Sequence, residues 1–349
     1  MVILGIESSC DETAVAIVRD GRELVSNVVA SSMDQHVIYG GVVPEIAARS
    51  HIEVIIPTVD EALRQADMTW DDIDGIAVTY GAGLGGSLLI GVVTARTLAL
   101  TFGKPLYPVN HVEAHVYANF LTVSDVPAVS ARSEQPAFPM LAIIVSGGHS
   151  QLALFQDHGT YELLGQTQDD AIGEAFDKVA KILGLPYPGG PSIAKAAQEG
   201  DAYAYSLPKA KMSGEYDFSF SGLKTAVLRL AQQLIGEDFT FPSFKLAERL
   251  TEKQKVDIAA SFQRIAIETI VGKALLAYER YAPASVVIAG GVAASQELRR
   301  QLLESLPSPI EFPDFKLCTD NGAMVATRAC FPLKTADPFS LDINPNLSM

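Results

Sequence analysis

Two histidines four residues apart are the sharpest chemical feature of this chain. His111 and His115 lie in the segment His-Val-Glu-Ala-His, and residues i and i+4 of an α-helix project from one face. Two imidazoles in that arrangement can bind one divalent metal, although a surface pair or a capping pair has the same spacing. A zinc protease needs Glu directly after the first histidine. In this chain Val112 directly follows the first histidine. The glutamate is Glu113, which points to the opposite face of the helix, and this argues against protease chemistry.

A third metal ligand is missing from this segment and has to come from elsewhere in the chain. We expect a carboxylate, and Asp320 is the candidate. It lies in Cys-Thr-Asp-Asn-Gly-Ala, where a strand is expected to end and the last helix to begin. The alternative role of Asp320 is that of a helix N-cap, which Asp favours strongly.

Three loops have the composition of phosphate-binding loops: residues 7–13, 146–150 and 290–293. Glycine lets backbone N–H groups approach an anion closely, and serine and threonine hydroxyls add donors. A plain tight turn is the alternative for each loop taken singly, but the three together favour phosphate binding. The glycine-rich residues 81–86 approach the dinucleotide-binding fingerprint but lack its partner acid.

Two further segments carry polar side chains whose role the pattern leaves open. On a helix expected over residues 171–183, Asp177 lies opposite the apolar face, and periodicity alone makes it a solvated residue. A rigid Pro-Tyr-Pro-Gly-Gly-Pro turn follows at residues 186–191. Residues 217–225 mix aromatic residues, hydroxyls and a lysine, which is typical of an anion or nucleic-acid contact or of a well-capped helix start.

The elements that position these residues alternate between strands and helices, which predicts an α/β fold. A hairpin with strands at residues 2–6 and 14–18 is matched half a chain later by strands at 140–145 and 152–155. This repeat predicts two structurally related halves. Helices are expected over residues 52–66, 88–102, 171–183, 192–199, 222–235 and 252–281, and buried strands over 73–79 and 285–289. Residues 121–139 are interpreted as a surface insertion or linker.

Composition narrows the class of protein. The 349 residues suit about two domains, and 26 basic against 41 acidic residues give a net charge of −15, which excludes a globally basic nucleic-acid binder. The cysteines, Cys10, Cys318 and Cys330, are too few for a disulfide framework and suit a reducing compartment. No targeting pattern is visible, and Arg96 interrupts the apolar residues 85–103. We therefore expect a cytoplasmic protein without a membrane span.

Taken together, these segments resemble the bacterial-type TsaD family, the tRNA N6-adenosine threonylcarbamoyltransferases. The resemblance spans nearly the whole chain and rests on residues 5–13, 39–45, 111–115, 145–150, 173–178, 187–191, 217–225 and 318–324. It implies the fold of actin, sugar kinases and Hsp70 ATPases, with two duplicated α/β subdomains and a nucleotide cleft between them. We expect residues 1–110 and 320–349 to form the N-terminal subdomain, closed by the last helix, and residues 111–319 the C-terminal one.

The resemblance also implies a transfer reaction. A separate enzyme makes threonylcarbamoyl-adenylate, and the family transfers its threonylcarbamoyl group to N6 of the adenosine immediately 3′ of the anticodon, in tRNAs that read codons beginning with A. The alternatives are an ATPase or small-molecule kinase, or an ATP-binding scaffold, of the same superfamily. The paired histidines weigh against a kinase, because Mg²⁺ prefers oxygen ligands. Family members of this type generally need a paralogous TsaB-like dimer partner and a small TsaE-like ATPase.

Roles for individual residues follow from the resemblance position by position. His111, His115 and Asp320 match the metal ligands, with Fe²⁺ expected and Zn²⁺ as the alternative. Asp11 and Glu12 match acidic residues that matter for activity, and acceptance of the N6 proton by Asp11 is a hypothesis. The positions that match substrate-binding residues are Val145, Ser146, Gly147, Gly148, His149, Asp177, Gly190 and Ser295.

Two features of this chain differ from what the resemblance leads one to expect. Ser295 replaces the family's usual Asn, and one hydroxyl cannot supply both amide hydrogen bonds. The net charge of −15 is also unusual for an enzyme that acts on tRNA, because phosphate attraction dominates such binding. We therefore expect tRNA on a local patch, assisted by partner proteins, with Lys209, Lys211, Lys224 and Arg229 as candidates.

Overall fold

The computed structural model of the chain describes residues 1–122, 135–307 and 310–349. Most of the insertion expected at 121–139 therefore lies outside the described residues. The strands are β1 (Val2–Glu7), β2 (Glu12–Arg19), β3 (Glu23–Ser31), β4 (Gly75–Gly81), β5 (Leu106–Asn110), β6 (Met140–Val145), β7 (Ser150–Asp157), β8 (Thr160–Gln166), β9 (Ser285–Ala289) and β10 (Ile310–Glu311). The helices are α1 (Met33–Val37), α2 (Pro44–Ala66), α3 (Gly85–Phe102), α4 (His111–Tyr117), α5 (Ile172–Leu183), α6 (Gly189–Ala197), α7 (Ser221–Leu234), α8 (Glu252–Tyr281), α9 (Gln296–Ser305) and α10 (Gly322–Ala329).

The described chain divides into two compact units. Unit 1 contains Met1–Ala137, Gln156–Tyr161 and Glu311–Met349, and unit 2 contains Phe138–Phe155 and Glu162–Ile310. The predicted subdomains instead change at 110/111 and 319/320. Unit 1 takes in α4 because this helix packs on α10, which lies against β1 and β2 of the first sheet.

The first sheet has the strand order β3-β2-β1-β4-β5. β1 pairs antiparallel with β2 and parallel with β4. The tight turn between β2 and β3 contains Asp20 and Gly21, both with positive φ, as the Asp-Gly pair indicates. Along β1 the side chains alternate between two cores: Leu4 and Ile6 pack with the core that includes α2 and α3, while Ile3 packs with the core that includes α4 and α10.

Two glycines allow α10 to lie directly on this sheet. A Cβ atom on Gly5 of β1 would lie 2.4 Å from the carbonyl oxygen of Gly322, and a Cβ atom on Gly322 would lie 2.5 Å from the backbone nitrogen of Ala16. Any larger residue at either position would push helix and sheet apart. This close contact fixes the position of the residues immediately before α10, including Asp320.

The second sheet repeats the topology of the first. Its order is β10-β9-β6-β7-β8, and β6 pairs antiparallel with β7 and parallel with β9, as β1 does with β2 and β4. Helices α5 to α9 belong to unit 2. The prediction of an α/β fold with two related halves is therefore confirmed.

Helix α3 is long and apolar enough to cross a membrane by length and composition alone. Its contacts are those of a helix in a folded layer, because it packs against β4 and α2. Arg96 also donates hydrogen bonds to the carbonyl oxygens of Pro338, Phe339 and Leu341, at 2.6, 2.8 and 3.2 Å. These contacts connect α3 to the C-terminal segment of unit 1.

Candidate functional site

The histidine pair lies on the short helix α4, and Asn110 determines where that helix begins. The Asn110 side chain accepts hydrogen bonds from the backbone N–H groups of Val112 and Glu113, which makes it an N-cap. Helix α4 therefore starts at His111, and the predicted i, i+4 arrangement is confirmed, since the two imidazole rings are 4.7 Å apart. Both histidines are buried.

Asp320 lies beside this pair. Its Oδ1 atom is 3.2 Å from Nε2 of His115 and 3.7 Å from Nε2 of His111. The N-cap of α10 is the next residue, Asn321, which accepts a hydrogen bond from the backbone N–H of Met324. Because Asn321 caps the helix, the carboxylate of Asp320 can face the two histidines.

The three side chains fit a divalent metal. One ligand atom from each lies within 4.8 Å of the others, and a tetrahedral ion with bonds of about 2.1 Å separates its ligands by roughly 3.4 Å. Neither ring nitrogen of His115 has a hydrogen-bond partner of acceptable geometry within the described part of the chain, although both are buried. Two histidines and one carboxylate form the donor set of many non-haem Fe(II) centres and also suit Zn²⁺.

Sequence reasoning did not identify Glu7 as the residue that orients His111. Oε2 of this buried carboxylate lies 3.1 Å from Nδ1 of His111 and accepts a 2.6 Å hydrogen bond from the Thr79 hydroxyl. Oε1 accepts a 2.6 Å bond from the backbone N–H of Ser9. When Nδ1 donates its proton to Glu7, Nε2 is the nitrogen presented to Asp320, which is the second-shell arrangement typical of metal-binding histidines.

The pKa shifts of His111 and Glu7 agree with a hydrogen bond between these two side chains. Burial alone would lower the pKa of His111, but the carboxylates of Glu7 and Asp320 raise it to about 9. Burial would raise the pKa of Glu7, but the charge and hydrogen bond of His111 outweigh that cost and lower it. A carboxylate at the end of a buried strand was the available signal for this role, since Glu7 directly follows the apolar run of β1.

Glu113 is absent from this cluster, as the helical geometry predicts. Its carboxylate accepts a 2.7 Å hydrogen bond from Nε of Arg328 on α10, and both side chains are buried. The guanidinium of Arg328 also lies 5.0 Å from the ring centre of Tyr117. Glu113 therefore links α4 to α10 and is not a general base beside the histidines.

Asp11 and Glu12 follow the same strand in a loop whose backbone is held firmly. The carbonyl oxygen of Asp11 accepts a 2.8 Å bond from the Ser32 hydroxyl, and His51 Nε2 lies 3.0 Å from the carbonyl oxygen of Cys10. Burial, the charges of Asp320 and Asp11, and a hydrogen bond with Asp11 raise the pKa of Glu12 to about 9. Glu12 is therefore protonated at neutral pH.

The glycine-rich residues 81–86 have a structural role in this region. The N–H of Leu84 donates a 2.8 Å bond to the carbonyl oxygen of Ser9, and the N–H of Gly83 donates to the carbonyl oxygen of Pro345. A Cβ atom on Gly83, whose φ is +153°, would lie 2.6 Å from Ser9. These N–H groups are already used within unit 1, which agrees with the missing dinucleotide fingerprint.

In unit 2, the loop between β6 and β7 leaves its glycines exposed. Gly147 and Gly148 are solvent-exposed, and a Cβ atom on either would meet nothing within 4 Å. The loop is closed by hydrogen bonds between Ser146 and His149, from backbone to backbone at 2.8 Å and from the His149 N–H to the Ser146 hydroxyl at 3.1 Å. Because Gly147 and Gly148 are exposed and have no side chain, a ligand could reach their backbone.

The loop after β9 packs on this hairpin loop. Gly290 has a φ of +90°, and a Cβ atom there would lie 2.5 Å from the carbonyl oxygen of Val145. Within unit 2 the structure therefore brings together two of the three predicted phosphate loops. Ser295 is the N-cap of α9, and its hydroxyl accepts a 3.3 Å bond from the backbone N–H of Leu298.

Asp177 is oriented by the start of the next helix. Its carboxylate accepts a 2.7 Å bond from the backbone N–H of Gly189, the first residue of α6. Burial raises the pKa of Asp177 despite that hydrogen bond. The neighbouring Gly190 has open space around its Cα, since a Cβ atom would meet nothing within 4 Å. Asp177 thus makes a specific contact that helical periodicity could not indicate.

The basic residues proposed for a patch have several different partners. Lys209 forms an ion pair with Glu268 at 2.7 Å, and Lys224 forms one with Asp170 at 2.7 Å. Arg229 donates to the backbone oxygen of Phe239 at 3.2 Å. Lysines that the sequence did not single out, Lys178 and Lys181, line a cavity with Lys224.

Comparisons with known proteins assign the chain to a family. The family described as tRNA N6-adenosine threonylcarbamoyltransferase matches residues 23–327. A protein of that name from Thermomicrobium roseum is 48% identical over 351 residues, covering 99% of this chain and 95% of that protein. Another, from Symbiobacterium thermophilum, is 47% identical over 346 residues, covering 98% and 95%.

A similar solved structure is component A of the (R)-2-hydroxyglutaryl-CoA dehydratase of Acidaminococcus fermentans. It has a TM-score of 0.49 and 18% sequence identity, covering 94% of this chain and 96% of that chain. The sequence matches, by contrast, extend over almost the full length of both proteins at close to half identity. The chain belongs to the tRNA N6-adenosine threonylcarbamoyltransferase family.

Proposed function

We propose that this chain transfers the threonylcarbamoyl group of threonylcarbamoyl-adenylate to N6 of the adenosine 3′ of the anticodon, in tRNAs that read codons beginning with A. The observation that carries the proposal is the convergence of His111, His115 and Asp320 in a member of this family. In the reaction the N6 amine attacks the carbamoyl carbonyl carbon, the bond to the phosphate oxygen breaks, and AMP leaves with the electron pair. The N6 proton goes to a base on the protein.

His111, His115 and Asp320 would hold one divalent ion, which we propose to be Fe²⁺, with Zn²⁺ as the alternative. A bound ion supplies Lewis-acid stabilisation of the negative charge that develops on oxygen atoms. Glu7 keeps the Nδ1 proton of His111 in place, so that Nε2 remains the ligand atom. Because the adenylate is already activated, no nucleophilic side chain is needed.

Asp11 is the proposed acceptor of the N6 proton, and Glu12 supports it. Burial and the neighbouring Asp11 raise the pKa of Glu12, and a hydrogen bond joins the two carboxyl groups. The side chains of Ser32 and His51 bond the carbonyl oxygens of Asp11 and Cys10 and so hold the backbone of the loop that carries both carboxyl groups.

The loops of unit 2 are the proposed site for the adenylate donor. Gly147 and Gly148 expose their backbone at the turn, and donors of that kind suit a phosphate. Val145, Ser146 and His149 belong to the same hairpin. Asp177, Gly190 and Ser295 are proposed to complete the substrate contacts in this unit.

We propose that the chain works in the cytoplasm with a TsaB-like paralogue and a small TsaE-like ATPase. An apolar face on α2 and α3 supports the paralogous partner: Ile52 and Ile56 are 62% and 49% exposed, and Leu89 and Val93 are 45% and 47% exposed. These are two i, i+4 pairs on neighbouring helices. A related partner with matching helices would bury them.

The test is a transfer assay with purified protein, with and without the two partners, supplied with threonylcarbamoyl-adenylate and unmodified tRNA. Nucleosides are then analysed by mass spectrometry. We expect threonylcarbamoyladenosine from the wild type and from a Lys334→Ala control, and none from a variant carrying His111→Ala and His115→Ala. ATP hydrolysis without any transfer product, in every partner combination, would favour the kinase or scaffold alternatives.

A further inference from the structure

Unit 2 contains a cavity of about 330 Å³ between α5, α7 and the short helical turn Ser243–Lys245. Three lysines line it: Lys178 and Lys181 from α5, and Lys224 from α7. The hydroxyl groups of Thr225 and Ser243 lie in the same lining. Ammonium and hydroxyl donors around one concave surface are the groups that bind a phosphate.

Acidic side chains neutralise only part of this charge. A single carboxylate, Asp170, lies between Lys178 and Lys224, at 2.8 and 2.7 Å from their ammonium groups. Glu174 lies 2.8 Å from Lys178. Lys181 is exposed and belongs to none of the ion pairs found among the described residues. The lining therefore has an excess of positive charge in a chain whose net charge is −15.

One residue of the cavity lining is an exposed aromatic ring. Phe244, which belongs to the lining, is 71% exposed, and the ammonium group of Lys245 lies 5.9 Å from its ring centre. Outside the cavity lining, a second exposed ring of unit 2, Phe239, has the guanidinium of Arg229 5.5 Å from its centre. An exposed ring flanked by cations can stack on an unpaired base, whose two faces are both aromatic.

We propose that this surface, the Lys–Phe groove (Lys178, Lys181, Lys224, Phe244 and Lys245), binds single-stranded RNA. The lysines contact the phosphate backbone, and Phe244 stacks on an unpaired base. The identification of that RNA with the tRNA acceptor rests on the proposed function. An acidic protein segment would be attracted by the same charges but would not require a planar aromatic ring.

The volume of the cavity agrees with a bound RNA nucleotide. A cavity of about 330 Å³ is at the small end of ligand sites and holds one nucleotide-sized group, so the rest of the strand would lie along the exposed surface. Binding of this type adds a local attraction to a protein whose overall charge opposes RNA.

The test compares RNA binding by variants that remove charge with variants that remove the ring. Lys181→Ala with Lys245→Ala removes two exposed cations, and Arg280→Ala with Lys334→Ala removes the same charge from exposed positions elsewhere. Phe244→Leu removes the aromatic ring and keeps an apolar side chain, whereas Phe244→Trp keeps a ring. Each protein, assembled with its partners, is titrated with unmodified tRNA over a range of salt concentrations, without the donor.

We expect the lysine variant to lower the slope of log K against log salt by about 1.4 to 1.8, at about 0.7 to 0.9 for each lost phosphate contact. Phe244→Leu should weaken binding about fivefold or more, the low end of the range for loss of one stacked base, and Phe244→Trp should retain affinity. In transfer assays these changes should raise KM for tRNA with little effect on kcat. The control variant should behave like the wild type.

Unchanged affinity and unchanged salt slope in the lysine variant, together with unchanged affinity in Phe244→Leu, would overturn the proposal. Loss of partner assembly in these variants with unchanged RNA affinity would also overturn it and assign the groove to a protein. The proposed function fails separately: its failure is a wild-type complex that binds tRNA through the groove but gives no threonylcarbamoyladenosine. Transfer that does not depend on the groove would refute only the RNA-binding role of the Lys–Phe groove.

Discussion

Replacing Glu12 by Gln tests the electrostatics of the acidic loop directly. Glu12 is half-buried, and burial, Asp320 and Asp11 raise its pKa from 4.5 to about 9. The unfolded chain ionises this carboxyl near its ordinary pKa, whereas the folded chain keeps the proton until about pH 9. Between those two values the folded state therefore binds one proton more than the unfolded state, and the free energy of unfolding falls as the pH rises.

The size of the effect follows from that shift. At about 1.4 kcal/mol for each pH unit, the carboxyl costs about 3 kcal/mol of stability at pH 7, and nothing below the ordinary pKa. Gln has nearly the same shape, donates a hydrogen bond and cannot ionise. The Glu12→Gln variant should therefore be more stable than the wild type by about 3 kcal/mol at pH 7, and this difference should grow by about 3 kcal/mol between about pH 6 and about pH 8.

Urea unfolding of metal-free protein at several pH values measures this difference. Glu199→Gln, which removes an exposed carboxyl, is the control, and its stability should differ little from the wild type at either pH. Because Gln retains the donor to Asp11, transfer by Glu12→Gln at neutral pH should persist, whereas Asp11→Asn should abolish it. A stability difference that is the same at both pH values would refute the assignment of the proton to Glu12.

Three other substitutions give expected outcomes of different kinds. Glu7→Gln should weaken divalent-metal binding by about 10- to 100-fold, because the orientation of His111 is lost, and a competition titration with a chelating dye measures this; unchanged affinity would contradict the role of Glu7. Arg328→Met should cost about 3 to 5 kcal/mol of unfolding free energy, because Glu113 is left buried without its partner, and adding Glu113→Gln should restore part of that loss in the same unfolding assay. Gly290→Ala should destabilise the protein by about 1 to 3 kcal/mol, because φ is +90° and the new methyl group would meet the carbonyl oxygen of Val145; a neutral effect in thermal unfolding would contradict it.

Several elements could be predicted from local sequence with little error. The helix expected over 252–281 and the strand over 285–289 match α8 and β9 at both ends. Periodicity and a capping box at Thr251 define the long helix, and a run of β-branched residues defines the strand. The short strands β5 and β10 were not predicted, because two to five residues carry too little periodicity.

Helix α2 shows where hydrophobic periodicity misleads. Ile52, Ile55, Ile56 and Val59 all fit the apolar period of a helix, but Ile52 and Ile56 are exposed, while Ile55 and Val59 are buried against the sheet. A helix with two apolar stripes gives one broad pattern in the sequence. Only the position of the sheet decides which stripe is the core, so the second stripe remains available to another protein.

The candidate metal site likewise combines a feature that the local sequence predicts with contacts between residues far apart in the chain. The spacing of His111 and His115 is local, and the sequence alone predicts it. Glu7 contacts His111 across 104 positions of the chain, and no spacing rule connects them. The sequence also cannot show that Asn321, and not Asp320, is the N-cap of α10, because both residue types favour that position.

The repeated topology makes the difference between the two units informative. Equivalent strands, β1 with β2 and β6 with β7, end in loops of opposite character. The first loop contains Asp11 and Glu12 next to the Asp320 charge, and it repels phosphate unless a cation is present. The second has exposed glycines and no carboxylate between Ser146 and Ser150, so it lacks that repulsion. The two halves of one duplicated topology thus differ in this loop: the first loop carries two carboxyl groups near Asp320, and the second is an uncharged loop of glycine and serine around His149.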